Sequence, residues 1–260
     1  MTKTLKLWPL LTATHRYDKS LSTRNRDAGK TIEAPILAYL IETSQGRILF
    51  DVGCDYEKIS NPEKAARYYN PQTFEFGTPD MQEGQRLPHH FARLGLTPED
   101  IDVVFLSHLH FDHAGGLCDV CATEIHIQQD ELDAANSGED ATYFADEVVA
   151  KNNWKTKRGE YEIVPGVNAI SSPGHTAGHM SLWVELPHSE PIILAGDAAD
   201  LQENIDDEIA PGICWHDNEE LAIRSIRKLK KLAEQESALL WPNHDINFWR
   251  SLKQAPAFYA

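Results

Sequence analysis

The chain has 260 residues, of which 42% are hydrophobic and 25% charged, proportions that suit a globular protein with a substantial core. Its formal net charge of −16 argues against nucleic acid as a partner, because phosphate backbones attract clustered lysine and arginine and are repelled by an acidic surface. No apolar run approaches the ~20 residues of a membrane span. The four cysteines, Cys54, Cys118, Cys121 and Cys214, are too few for a disulfide scaffold and suit a reducing cytoplasm.

The opening stretch, MTKTLKLWPLLTATHRYD, places two lysines before a short apolar segment, as a signal peptide does. Pro9 and Thr12 interrupt that segment and no cleavage site follows, so the stretch is expected to be a first strand. Ala34 to Gly53 reads as two strands around a Ser-Gln-Gly turn, a hairpin pattern. Residues 54–100 are polar and irregular, with helical pieces at Asn61–Tyr69 and Met81–Leu94. Strands are expected at 102–107, Thr123–Ile127, Val167–Ser171, His179–Leu186 and Pro191–Ala195.

The last helix has the clearest pattern. Asn218 caps it, Glu219 and Glu220 open it, and lysines fill its later part, as the helix dipole favours. Ala222, Ile226, Leu229 and Ala233 form one apolar stripe, so the basic stretch from Arg224 to Lys231 is read as a solvated face. A strand, ALLWPN, then leads to His244. With no linker or repeat, 1–260 is expected to be a single α/β domain carrying a helical insert at about 54–100.

The densest chemistry lies in SHLHFDHAGG. His108, His110, Asp112 and His113 directly follow an apolar strand and precede two glycines. Imidazole nitrogens and carboxylate oxygens suit zinc, which takes about four ligands near 2 Å. In an extended chain alternate residues share a side, so His108, His110 and Asp112 are expected to face one cavity while His113 points elsewhere. Four ligands so close together do not easily wrap one small cation, which suggests two centres. His175, Asp197 and His244 each end or follow a strand-like run, where loops commonly present functional groups.

The set His108-x-His110-x-Asp112-His113, then His175, Asp197 and His244, resembles the ligand pattern of the metallo-β-lactamase superfamily. The resemblance implies an αβ/βα sandwich of two mixed β-sheets flanked by helices, with metals at one edge. It implies that His108, His110 and His175 hold one zinc, that Asp112, His113 and His244 hold a second, and that Asp197 bridges them. Asp51 matches an acidic residue that orients ligands in the family. Two zinc ions share a water and lower its pKa toward ~7, which implies hydrolysis, with Asp112 carrying a proton to the departing oxygen.

Within the superfamily, SSPGHTAGHMSLWVELP, LAGDAAD and the ending NHDINFWRSLKQAPAFYA are most similar to the N-acyl-homoserine lactonases and 4-pyridoxolactonase. That branch implies a small lactone or ester substrate, Phe111 against the acyl group, and possible homodimers. Flavodiiron proteins usually have glutamate where His110 stands, and nucleases fit the acidic charge poorly. Glyoxalase-type thioesterases share the ligand set, and a zinc-binding protein without catalysis is the alternative outside enzymes.

One position departs from the branch. The lactonases usually carry a tyrosine three residues after the bridging aspartate, and here that residue is Asp200. An ionised carboxylate cannot donate to a substrate oxygen, and losing such a donor costs on the order of 10²–10³ in rate. Three readings follow: Trp215 or His216 replaces the donor; Asp200 acts itself, protonated or on a different substrate group; or zinc polarises the carbonyl without help. Cys118-x-x-Cys121, His126 and His179 are read as packing or supporting groups.

Overall fold

A computed structural model describes residues 4–149 and 154–260; Met1 to Lys3, the start of the leader-like stretch, lie outside them. The first sheet is built in chain order from β1 (Thr4–Asp18), β2 (Thr31–Thr43), β3 (Gly46–Phe50), β4 (Val103–Phe105), β5 (Glu124–Gln128) and β6 (Trp154–Lys157). β1, β2 and β3 pair antiparallel, and β3 to β6 pair parallel. The second sheet comprises β7 (Tyr161–Val164), β8 (Val167–Ser171), β9 (Met180–Val184), β10 (Ile192–Leu194) and β11 (Leu239–Trp241), in the order β11-β10-β9-β8-β7. Its pairs are antiparallel except β10 with β11.

The alternation within β2 explains how the layers stack. Leu37, Tyr39 and Ile41 point one way, into a core shared with Phe50, Phe105 and with Val167, Leu182 and Leu194 of the second sheet. Ala38 and Leu40 point the other way, toward Leu87 and Phe91. Successive side chains of a strand face opposite sides, so a strand buried on both faces reads as an unbroken apolar run. The result is a sandwich of two mixed sheets with helices on the outside.

Nine α-helices lie among the described residues. α1 (Tyr56–Ser60), α2 (Pro62–Tyr68) and α3 (Leu87–Arg93) fall within 54–100. The helix expected over Met81–Leu94 begins only at Leu87, because Pro88 lacks an N–H and is tolerated only in a first turn; Glu83–Gln85 forms a separate tight turn. α4 (Phe111–Ala114) follows β4, α5 (Gln129–Ser137) follows β5, and α6 (Ala145–Val149) and α7 (Gln202–Asp207) are short. α8 (Glu219–Glu236) is capped by Asn218, whose side chain accepts from the Leu221 N–H at 3.1 Å. Its stripe of Leu229 and Ala233 covers the outer face of the second sheet against Ile170 and Ile193. α9 (Ile246–Ser251) completes the set. No helix among the described residues is long and apolar enough to cross a membrane.

Candidate metal centre

The site lies where β4, β10 and β11 end. β4 stops at Phe105 and is followed by His108, and His110 is the residue that caps α4. Asp112 and His113 lie inside that helical turn, which corrects the extended-chain reading of the motif. The zigzag describes His108 and His110 only. From Phe111 onward the backbone is helical, so Asp112 does not share a face with them by alternation, and Asp112 and His113 instead converge with His244. Gly116 permits the close approach that seats this turn, since a side-chain carbon there would strike the Val52 carbonyl. Asp197 follows Gly196, whose φ of +57° is left-handed, a conformation glycine adopts without strain.

The seven candidate ligands come together. His108, His110 and His175 form one group and Asp112, His113 and His244 another, with ligand atoms in each lying within 4.8 Å of one another. Asp197 stands between them. Its Oδ2 lies 3.5 Å from His175 Nε2 and 3.9 Å from His108 Nε2. Its Oδ1 lies 3.1 Å from His244 Nε2 and 3.3 Å from His113 Nε2. One carboxylate thus presents one oxygen to each group. This is the geometry of a dinuclear metal site.

The histidines are held by their far nitrogens. His244 Nδ1 donates to the Pro35 carbonyl at 2.8 Å, and His175 Nδ1 to the Ile213 carbonyl at 3.2 Å. His113 Nδ1 meets Asp51 Oδ2 at 2.8 Å, and His108 Nδ1 meets Ser107 Oγ at 2.9 Å. Each bond fixes the tautomer and leaves Nε2 as a lone-pair donor aimed inward. The Nε2 atoms of His108 and His113 are buried with no hydrogen-bond partner. His175 Nε2 and His110 Nδ1 face each other at 3.0 Å. Buried, unpartnered, convergent imidazole nitrogens are the donor set that a divalent ion needs, so the residues fit the metals.

Electrostatics agree. Burial pushes down both His108 and His175, the latter to about 3. Burial also acts against charge on His244, but Asp197 outweighs it and raises His244 to about 10. Asp197 is itself buried, yet His113 and His244 hold it well below the usual carboxylate range. Asp51 accepts from the Ser107 N–H at 2.7 Å, from Ser107 Oγ at 2.8 Å and from His113. It does so at a left-handed φ of 56°, a strained conformation that recurs where a functional group is held in place.

The other expected residues lie at different depths. Phe111 lines a narrow inner cavity of about 50 Å³ together with Asp112, Asp197, Asp200 and His244. Asp200 is buried there with Oδ1 unpartnered, and burial and Asp197 push its acid up to about 8. Trp215 and His216 stack on each other and line a separate outer cavity with Glu75, Glu139 and Asp140. The two cavities share Phe76, His175 and Ile213, so the Trp215 loop borders the approach and meets the metal groups only at His175.

Several supporting residues have no marker in the sequence. Glu131 of α5 is fully buried and accepts from Leu109 N, Thr176 Oγ1, Gly178 N and the Tyr143 hydroxyl, at 2.6–3.0 Å. It ties the His108–His110 loop to the His175 loop. Asp140 Oδ2 stands 3.5 Å from His110 Nε2, and Asn243 donates to Asp197 Oδ1 at 3.0 Å. His179 Nε2 accepts from the Asp197 N–H at 2.9 Å, the supporting part that the sequence reading allowed for it. Cys118 and Cys121 are free and exposed.

Comparison with known proteins supports the same conclusion. The family model described as Metallo-beta-lactamase superfamily matches residues 32–244. An N-acyl homoserine lactonase from a Bacillus species is 36% identical over 232 residues, covering 88% of this chain and 89% of that protein. The lactonase AttM of Rhizobium radiobacter is 28% identical over 249 residues, covering 91% of each. A solved N-acyl homoserine lactone hydrolase, with the product N-hexanoyl-L-homoserine at its catalytic metal centre, superposes with a TM-score of 0.87 at 34% identity. That match covers 99% of this chain and 100% of the other. With its two mixed sheets, its divided ligand set and this likeness along nearly its whole length, the chain belongs to the metallo-β-lactamase superfamily.

Proposed function

We propose that the protein is a dinuclear zinc lactonase that opens the ring of N-acyl-homoserine lactones, removing such signals in the manner called quorum quenching. The observation that carries this reading is Asp197, whose two oxygens each face a separate histidine group. His108, His110 and His175 would hold one ion, Asp112, His113 and His244 the other, with Asp197 between. When bound, the ions supply Lewis acidity and activate water as a nucleophile at neutral pH. Imidazole and carboxylate donors together suit zinc.

The chain's own groups do the rest. Asp112 is partly exposed to the inner cavity, so its carboxyl is placed to pass a proton to the departing ring oxygen. Phe111, Phe76, Leu21 and Ile213 give the cavity an apolar wall that excludes water beside the lactone. The aromatic cluster of Phe74, Tyr69 and Phe144 packs behind Phe111 and fixes its ring. Four free cysteines accord with a reducing cytoplasm. The acidic outer cavity, with Glu75, Glu139 and Asp140, favours a second reading in which the substrate is a more polar lactone or ester than a long-chain acyl-homoserine lactone.

The test is proton release by zinc-loaded protein across short and long acyl-homoserine lactones, simple γ- and δ-lactones and 4-pyridoxolactone, with a thioester control. Turnover of acyl-homoserine lactones, abolished by a chelator and restored by zinc, is expected. Silence on that class with activity on another lactone or ester would replace the proposal with the second reading.

A further inference from the structure

An ester carbonyl gathers negative charge as water attacks it, and a hydrogen-bond donor aimed at that oxygen lowers the barrier. Four polar residues line the inner cavity besides the metal-site residues: His15, Tyr17, Thr142 and Asp200. Three are poorly suited to donate. The His15 Nε2–H is spent on the Gly77 carbonyl at 3.2 Å, and the Thr142 hydroxyl donates to Asp140 at 2.5 Å. Asp200 groups with Asp197 and His244 as a further set of possible ion ligands, their ligand atoms within 4.8 Å of one another, so its carboxyl is turned to the metal centre.

Tyr17 is the fourth. His15 and Tyr17 are two apart on β1, so both turn toward the cavity, while Arg16 between them faces outward and pairs with Glu33 at 3.0 Å. Their rings meet edge to face at 5.3 Å between centroids. The tight turn Lys19–Leu21, capped by Asp18, then brings Ser22 back so that its Oγ lies 2.9 Å from the Tyr17 hydroxyl. Backbone bonds from Arg24 N to Ala210 O and from Gly212 N to Leu21 O, both 3.0 Å, hold this turn against the loop that carries Ile213. A phenol both donates and accepts. Either hydroxyl can be the donor of that bond, and when Ser22 donates, the Tyr17 proton is left for a substrate oxygen.

We propose that Tyr17 is a catalytic residue whose hydroxyl donates to the substrate carbonyl oxygen as charge builds there, with Ser22 setting its orientation. The proposal rests on the hydrolase reading of the same site. The experiment compares wild type, Tyr17→Phe and Ser22→Ala as full-length, zinc-loaded proteins, reading kcat, KM and metal content separately. For Tyr17→Phe, kcat should fall on the order of 10²-fold, with KM changed less than about threefold and metal content unaltered, since a donor used only in the transition state acts on kcat. Ser22→Ala keeps the ring and hydroxyl and should lose roughly tenfold, a fraction of that donor's worth.

A kcat for Tyr17→Phe within about threefold of wild type overturns the proposal. So does a loss of metal alongside activity, which would make the hydroxyl a support for the ions. If Tyr17→Phe does not fold, an unchanged kcat for Ser22→Ala overturns it equally. Should wild type hydrolyse another ester and no lactone, the lactone reading fails, and the same variants measured on that ester still decide the role of Tyr17.

Discussion

Replacing Asp197 with asparagine is expected to abolish lactone hydrolysis and to strip metal from the protein. Asparagine keeps the shape but removes the charge that lies 3.1–3.9 Å from four imidazole nitrogens. A unit charge about 4 Å from another is worth roughly 4 kcal/mol at an effective dielectric of 20, so metal affinity should fall on the order of 10³-fold or more. The measurement is metal content per chain after dialysis, beside turnover and circular dichroism. A folded Asp197→Asn protein that keeps both ions and full activity would contradict the assignment of this residue.

Asp51→Ala should weaken both the fold and the second ligand group. Asp51 is 1% exposed and takes three hydrogen bonds, two from Ser107 and one from His113. Removing one partner of a buried charged pair typically costs about 3–5 kcal/mol, which for a chain of this size lowers Tm by roughly 6–20 °C. Freed from its carboxylate, the His113 ring loses its fixed tautomer, and groups of this kind are worth roughly 10–100-fold in metal affinity. Thermal unfolding of the chelated protein isolates the first effect, and zinc titration isolates the second. An unchanged melting point with unchanged affinity would show that Ser107 and the histidines hold themselves.

The seven metal-site residues were legible in the sequence because each stands at or beyond the end of an apolar strand-like run, and strand ends are where this sandwich collects its chemistry. The range expected for β8 matches the structure, and the cap and stripe of α8 are where the pattern put them. Asp112 was misplaced within its motif because alternation assumes extended backbone, and the helical turn of α4 begins one residue before it. Glu131 looks like any acidic residue in a helix's first turn, and only the packing of two distant loops onto it makes it a buried clamp. Tyr17 escaped notice for the same reason. Asp200 stands where the lactonases have their tyrosine and Trp215 and His216 follow it closely in the chain, whereas this phenol reaches the cavity from β1, far away in the chain. β6 and β7 are short and lie in a polar, lysine-rich stretch, so neither produces the apolar alternation that marks a strand.

The property that defines a lactonase is which bond it breaks. Zinc-loaded protein should be given a short-chain acyl-homoserine lactone in water enriched in oxygen-18, and the product weighed and fragmented by mass spectrometry. The ring-opened acyl-homoserine should appear, carrying one labelled oxygen in its new carboxylate and none in its alcohol or amide. Label in a released fatty acid would mean that the amide had been cut instead. An unaltered lactone, from protein shown to hold its metals, would contradict the lactonase outright.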